Sequence, residues 1–319
     1  MTENKITKTE AAAFLRAQDE YLILTHRSPD ADTIGSAAAL VRILRALGKT
    51  AAAYCPDPIP RRLEFLTAGA VFAPALPDTA GKTLVSVDVA SGAMTGLGEE
   101  TVFALSIDHH KVNTVRCERL CIEPDYVATG EIILELADEL EVPLTQETAL
   151  PLYAAISSDS GGFRYAATRP ETHLFAARLL ETGIDFAEIN RRLFETKTPA
   201  QLSIERLAYS RIELYCGGRF ALLAVDQEDL ERTGAGESDI DGLNQLPRQI
   251  EGVRVSAVIR PKPGCVKVSL RSNDETDVAQ LAERFGGGGH FHAAGFSLEG
   301  KSVPDAKRLV LDVMEELFA

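Results

Sequence analysis

An apolar run, Tyr21-Leu22-Ile23-Leu24-Thr25, leads directly into His26-Arg27-Ser28-Pro29-Asp30-Ala31-Asp32-Thr33-Ile34-Gly35-Ser36. That stretch leads in turn into Ala37-Ala38-Ala39-Leu40-Val41-Arg42-Ile43-Leu44. The first segment reads as a buried strand and the last as a strong helix former. One imidazole and two carboxylates therefore stand at the carboxyl end of a strand, on the turn into a helix. In an open α/β sheet that edge is where ligands bind. A turn of this kind can face His26, Asp30 and Asp32 towards one point. Two carboxylates so close repel when ionised unless a cation holds them. The turn reads first as a metal site.

The same alternation continues downstream. Residues 8–19 read as a short helix before the first strand, and the helix after the opening turn ends near Gly48. Strands are expected over Thr50–Cys55, Thr83–Val87, Thr101–Ile107 and within Val115–Ile122, with a short helix over Arg61–Leu66. Helices follow over Glu131–Leu140, Gln146–Ser158, Glu171–Glu181 and Phe186–Phe194. Strands alternating with helical stretches predict βαβ units and a parallel sheet. Residues 195–212, with Pro199 and a polar–apolar helical pattern, read as a connector. A second region then shows strands over Arg219–Val225 and Val253–Ile259. A hairpin turn at Lys262-Pro263-Gly264 leads to a return strand over Cys265–Leu270. Thr276–Phe285 reads as a helix, Ala294–Leu298 as a last strand and Pro304–Phe318 as a closing helix. The 319 residues thus divide into a domain over 1–194, a helical connector over 195–212 and a smaller domain over 213–319.

Three strand ends carry ligand-type residues: His26/Asp30/Asp32, Asp88, and Asp108-His109-His110. Asp159, at a helix end before Gly161-Gly162, makes a fourth point. Parallel strands place their carboxyl ends on one edge, so these residues can converge. A lone aspartate at a strand end is more often a turn or cap residue, but two adjacent imidazoles beside an aspartate have little structural use. Asp30, Asp32, Asp88 and Asp159 together bring four negative charges, which two divalent cations balance and one does not. Carboxylate oxygen with some imidazole suits manganese best, and magnesium, zinc, iron or cobalt less well; calcium favours fewer nitrogens. Two such ions ~3.5–4 Å apart clamp the attacking and leaving oxygens of an in-line displacement at phosphorus, and they acidify a bridging water to hydroxide.

The formal net charge of −14 argues against tight binding of long duplexes. It leaves room for a small phosphorylated substrate, because metals and a local basic patch reverse the field. Such a patch exists: between Gly252 and Asn273 stand Arg254, Arg260, Lys262, Lys267 and Arg271, with no acidic residue. Five scattered cysteines without a CxxC pattern read as reduced structural thiols. No segment is apolar enough to span a membrane, and the N-terminus lacks a signal-peptide core. A cytoplasmic location is expected, with no membrane partner.

These residues resemble the DHH phosphoesterases, named for the run that stands here as Asp108-His109-His110. The C-terminal region is similar to the DHHA1 domain through Ser269-Leu270-Arg271-Ser272 and Gly287-Gly288-Gly289-His290…Ala293-Ala294-Gly295. The resemblance covers nearly the whole chain. It implies an α/β protein: a parallel-sheet DHH domain with helices on both faces, a smaller α/β DHHA1 domain, and an active-site cleft between them. It implies that His26, Asp30 and Asp88 hold one metal, and that Asp32, Asp88, His109 and Asp159 hold the other, with Asp88 bridging. His110 would face the substrate phosphate or leaving group, and Asp108 would orient a histidine rather than bind metal. Arg271 would grip a terminal phosphate through its guanidinium fork, with Ser272, Gly287, Gly288, Gly289 and His290 completing the substrate site. His292 reads as a bystander, His173 as structural, and Thr129-Gly130-Glu131 as a helix start. Gly35 and Ser36, near the start of their helix, offer N–H groups to a phosphate.

Within the family, the resemblance points to the standalone type. Those proteins degrade very short oligoribonucleotides to nucleoside 5′-monophosphates and dephosphorylate 3′-phosphoadenosine 5′-phosphate (pAp). A phosphodiesterase for pApA or a cyclic dinucleotide is the alternative. A family II inorganic pyrophosphatase fits less well because its second domain differs. An exonuclease on long single strands is disfavoured by the net charge, and a silent nucleotide-binding regulator by the complete ligand set. The preferred substrate, the polarity of attack and the oligomeric state, including a homodimer, stay open at this level.

Overall fold

The structure, a computed structural model, describes residues 4–69 and 71–318; for Ser238, Asp241 and His290 it describes the backbone alone. The chain divides into two compact units, Met1–Thr196 and Lys197–Ala319.

The first unit runs α1 (Lys8–Ala17), β1 (Tyr21–Leu24), α2 (Ala31–Ala46), β2 (Ala51–Tyr54), β3 (Thr83–Val87), β4 (Leu105–Asp108) and β5 (Leu120–Ile122). It continues through α3 (Thr129–Glu139), α4 (Gln146–Asp159), α5 (Pro170–Glu181) and α6 (Phe186–Asn190). The strands form one sheet in the order β2-β1-β3-β4-β5, and every pair is parallel. The chain passes from β1 to β2 on one side and then to β3 on the other. The order therefore reverses between β1 and β3, which opens a crevice at the carboxyl ends of those two strands.

Side chains alternate across the sheet. Tyr21, Ile23, Val85, Val87, Leu105 and Ile107 face a large core built with residues of α1 to α6. Leu22 and Leu24 face the other way, against Val89, Phe103 and Val115. The α/β class and the parallel sheet are as expected, but the expected helices cover one face. The second face is closed by the 89–117 segment, which carries a short 3-10 turn at Gly92–Thr95 and no α-helix. Its apolar cluster is small enough for a loop layer to cover. The strand expected over 101–107 starts later for the same reason: Phe103 donates to Arg116 O and accepts from Glu118 N, each at 2.8 Å, so this part pairs within the layer. The strand expected within 115–122 is likewise confined to β5.

α2 is the centre of the unit, buried almost throughout. It lies so close to α4 that a Cβ on Gly35 would overlap the backbone carbonyl oxygen of Pro151, and one on Gly130 of α3 would come within 2.8 Å of Ala155 Cβ. Small residues at these two positions let three helices pack tightly behind the turn after β1.

The second unit contains α7 (Pro199–Arg211), β6 (Glu213–Tyr215), β7 (Phe220–Ala224), α8 (Gln227–Thr233), α9 (Glu237–Ile240), β8 (Val255–Lys262), β9 (Cys265–Ser272), α10 (Val278–Glu283), β10 (Gly288–His290), β11 (Ala293–Glu299) and α11 (Val303–Phe318). Its mixed sheet runs β10-β11-β9-β8-β7-β6. α10 and α11 pack on one face through Val278, Leu281, Val310 and Met314. α7, which lies in the stretch read as a connector, packs on the other through Ile204 and Ala208 against Leu223 and Val225. The glycine run after α10 contains β10, whose Gly288 and Gly289 pair with Gly295 and Ala294 of β11. Among the described residues no helix is long and apolar enough to cross a membrane.

In an open helix alanine is favoured over glycine by about 1 kcal/mol. At Gly35 the sign reverses, because the added methyl overpacks a backbone atom at a cost of about 1–3 kcal/mol. Gly35→Ala should lower the thermal unfolding midpoint; an unchanged or raised midpoint would contradict the tight α2–α4 contact.

Candidate metal centre

The turn after β1 is held at several points. Ser28 adopts φ 56° and donates its N–H to Asp57 Oδ2 at 2.7 Å. Asp30 caps α2: its Oδ1 accepts the Thr33 N–H at 3.0 Å, and its Oδ2 lies 3.8 Å from His26 Nε2. His26 Nδ1 lies 2.9 Å from the Arg27 carbonyl oxygen. A carbonyl only accepts, so Nδ1 carries a proton and Nε2 is the nitrogen turned towards the carboxylates. Asp32, fully buried, accepts from Ser36 Oγ (2.7 Å) and Gly130 N (3.0 Å) on Oδ1, and from Thr129 N (2.7 Å) on Oδ2.

β3 delivers Asp88 in the left-handed region, φ 58°, which aspartate tolerates better than most side chains. Its carboxylate faces two ways. Oδ2 lies 3.5 Å from His26 Nε2 and Oδ1 lies 3.5 Å from His109 Nε2. The Thr129 hydroxyl donates to Oδ1 at 3.1 Å. β4 ends in Asp108, followed by His109 and His110. His109 Nδ1 donates to Tyr126 O at 3.1 Å, which turns Nε2 towards Asp32 Oδ2 (3.7 Å), Asp88 Oδ1 (3.5 Å) and Asp159 Oδ2 (3.7 Å). Asp159 is the last residue of α4.

Three sets thus place one ligand atom each within 4.8 Å of the others: His26/Asp30/Asp88, Asp32/His109/Asp159 and Asp88/His109/His110. Separations of 3.5–3.8 Å between imidazole nitrogen and carboxylate oxygen are too long for hydrogen bonds. They approach the edges of a coordination shell, about 3.0–3.6 Å for bonds of about 2.1–2.2 Å. The donor set, oxygen-rich with imidazole, fits divalent cations.

The electrostatics give the same reading. Burial and the neighbouring Asp88 charge push the Asp32 carboxyl up to about 7. Enclosure and the charges of Asp32, Asp30 and Asp88 push Asp159 well above the usual range. Burial would raise Asp88 as well, but His26, His109 and His110 outweigh it and hold it down to about 2. Burial opposes protonation of His26, yet Asp88 and Asp30 carry it up to about 10. Without a cation, protons on the imidazoles and carboxyls perform the charge balance.

Asp108 plays no direct part in these sets. It is fully buried, and its Oδ1 accepts from His109 N (2.8 Å), His110 N (3.2 Å) and His110 Nδ1 (2.7 Å). Its Oδ2 accepts from Asn113 Nδ2 at 2.7 Å. The carboxylate fixes the His110 ring, and against the opposing effect of burial it carries that imidazole up to about 9.

In the second unit Lys267, Ser269 and Arg271 alternate onto one face of β9, beside Arg260 of β8. They line a concavity of about 390 Å³ with Gly288, Ala293, Gly295 and Ser297. Ser272 alternates to the other face, buried, with Oγ 2.9 Å from His292 Nδ1. Gly288 has open space where a Cβ would stand, whereas Gly287 and Gly289 are required by the close approach of β11. The His290 side chain lies outside the described residues. Gly35 and Ser36 lie in the second turn of α2, so their N–H groups are not offered to a ligand: Gly35 packs on Pro151 and Ser36 holds Asp32.

The family model described as the DHH family N-terminal domain matches residues 20–156, and that of the DHHA1 domain matches 218–319. Over 296 residues the chain is 36% identical to the bifunctional oligoribonuclease and PAP phosphatase NrnA of Thermus thermophilus, covering 92% of this chain and 89% of that protein. The chain belongs to the DHH family of phosphoesterases. This DHH protein is also 26% identical to the Bacillus subtilis protein of the same description, over 96% and 97% of the two chains. Its fold matches the crystal structure of an exopolyphosphatase-related protein from Bacteroides fragilis, with TM-score 0.86 and 22% identity over 98% and 97% of the chains.

Sequence reasoning missed the atoms that hold the DHH ligands in place. The Tyr126 carbonyl, the Thr129 and Gly130 N–H groups and Asn113 each carry one hydrogen bond to a site residue. The signal for two of them was the start of α3, whose first N–H groups lack intrahelical partners and point at an anion.

Because His26 is protonated well above neutrality in the metal-free centre, a cation must displace protons to bind. Adding Mn2+ to metal-free protein at pH 7.5 in weak buffer should acidify the solution, as read by an indicator dye. Binding without proton release would contradict the assignment of His26.

Proposed function

We propose that this protein hydrolyses short oligoribonucleotides to nucleoside 5′-monophosphates, and pAp to AMP, at a centre of two divalent cations, Mn2+ above all, with Mg2+ or Co2+ as substitutes. The observation that carries this reading is Asp88, whose two oxygens face different histidines at the same distance. His26 and Asp30 would hold one cation with it, and Asp32, His109 and Asp159 would hold the other. The naming of the Thermus and Bacillus relatives supports the substrate class.

When bound, the cations neutralise charge on the phosphoryl group and lower the pKa of water in the site. The chain's own residues supply the geometry. Arg27 O and Tyr126 O fix the tautomers and tilt of His26 and His109. α3 directs two N–H groups at Asp32, which favour its ionised form and offset part of what burial and Asp88 do to raise it. Asp108 holds His110 by Nδ1, and an imidazolium so held donates a hydrogen bond to a phosphoryl oxygen or a proton to the leaving oxygen. In the second unit Arg271, with Arg260 and Lys267 beside it, receives a substrate phosphate. Gly288 lets the phosphate approach the backbone, which explains how an acidic chain takes an anionic substrate.

The test is a substrate panel with Mn2+-loaded enzyme: a diribonucleotide, a longer RNA, pAp, pApA, a cyclic dinucleotide and pyrophosphate. Fastest turnover of the dinucleotide and pAp is expected; pyrophosphate or long RNA as the preferred substrate would overturn the reading. Asp88→Asn should abolish turnover of every substrate. His110→Ala should lower kcat about 10²–10⁴-fold. Arg271→Ala should weaken kcat/KM for the dinucleotide by about 1.5–3 kcal/mol, the worth of a charged hydrogen bond. It should spare an aryl phosphodiester lacking a second phosphate, and equal losses on both would count against the Arg271 role.

A further inference from the structure

The carbonyl that orients His109 belongs to Tyr126, on the loop between β5 and α3, and this loop is pinned from the far side. Glu131, fully buried in the first turn of α3, accepts the Val127 N–H on Oε2 at 2.9 Å. The same oxygen lies 3.2 Å from Arg169 Nη2. Arg169 comes from the start of α5, and its guanidinium lies 4.3 Å from the centre of the Tyr126 ring. The Tyr126 hydroxyl is tied in turn to Lys8 Nζ and Glu135 Oε2, each at 2.7 Å.

A glutamate at this helix position commonly reaches back to the backbone before the helix, and such a cap stabilises a helix without touching function. Here more is attached to it. The five residues from Tyr126 to Gly130 contact three ligand residues: Tyr126 O holds His109, Thr129 N and Gly130 N hold Asp32, and Thr129 Oγ1 holds Asp88. Two of these, His109 and Asp32, belong to the same ligand set, with Asp159. His26 and Asp30 take their support from Arg27 O and Thr33 N. The loop therefore supports the two sets unequally. Among the described residues Arg169 is the one cation against both the Tyr126 ring and Glu131, and Lys cannot reproduce a planar group that stacks and donates at once.

We propose that Arg169, acting through Glu131 and the Tyr126 ring, is a positioning residue chiefly for the metal set of Asp32, His109 and Asp159, and bears far less on the His26/Asp30 set, which meets this loop only at Asp88. It rests on the two-cation reading above. Loss of such outer support typically costs 10–100-fold in metal affinity, and here the loss should fall on one cation of the two.

The experiment counts and ranks bound Mn2+ in the full-length protein by titration with electron paramagnetic resonance detection, for the wild type, Arg169→Met, Arg169→Lys and Glu131→Gln, with the thermal midpoint of each metal-free protein measured alongside. The wild type should bind two ions. Arg169→Met should keep one near wild-type affinity and weaken the other about 10–100-fold, Arg169→Lys should restore little of it, and Glu131→Gln should weaken the same ion. Two ions bound with wild-type affinities in both Arg169 variants would overturn this inference and leave the proposed function standing. So would equal weakening of both ions with a fallen midpoint, which assigns Arg169 to stability alone. A wild-type protein that binds fewer than two ions would overturn the two-cation reading and this inference with it.

Discussion

Asp32, Asp88 and Asp159 each come within 3.7 Å of one imidazole nitrogen, and Asp30 joins Asp88 around a second. Carboxylates in that arrangement cannot all be ionised unless positive charge lies among them. The rest of the first unit can be read from this constraint. A five-stranded parallel sheet brings the ends of β1, β3 and β4 to one edge, and the reversal of strand order between β1 and β3 opens the crevice there. Behind it α2, α3 and α4 approach closely enough to require glycine at Gly35 and Gly130. Rigid helices so placed keep the repelling groups from moving apart, and the α3 N-terminus lays two N–H groups on Asp32, the most enclosed of them.

The second unit meets the complementary requirement. An acidic protein that accepts phosphates needs a local surface of opposite sign. Alternation along β9 supplies it by putting Lys267, Ser269 and Arg271 on one face, while Val266, Val268 and Leu270 pack against α10 and α11 on the other. The small residues Gly288, Ala293 and Gly295 line the same concavity and keep it open.

Three of the candidate site residues are legible in the sequence because each stands where an apolar run stops: His26 after Leu24, Asp88 after Val87, Asp108 after Ile107. A carboxylate at such a boundary is visible without knowing the neighbours. The supports were not visible, because most are backbone atoms. Nothing in a residue's type reports that the Tyr126 carbonyl turns His109 or that the Thr129 N–H holds Asp32. The same holds for pairing decided by tertiary contact. Gly288 and Gly289 have low strand propensity, yet they form β10 because β11 offers a partner, one that comes so close at Gly289 that only glycine fits there. Phe103 looked like part of a strand by its apolar neighbours, but its backbone bonds are spent on Arg116 and Glu118 in the layer over the sheet. Ser272 shows the limit of carrying a motif over by position: it follows Arg271 directly, and alternation sends it to the opposite face, towards His292.

The central claim is that Asp88 stands between two cations. Anomalous diffraction from crystals of the protein grown with Mn2+ tests it most directly. The account predicts two peaks about 3.5–4 Å apart, one against His26 and Asp30, the other against Asp32, His109 and Asp159, with one Asp88 oxygen on each. A single peak, or two peaks with Asp88 bound to only one, would contradict it.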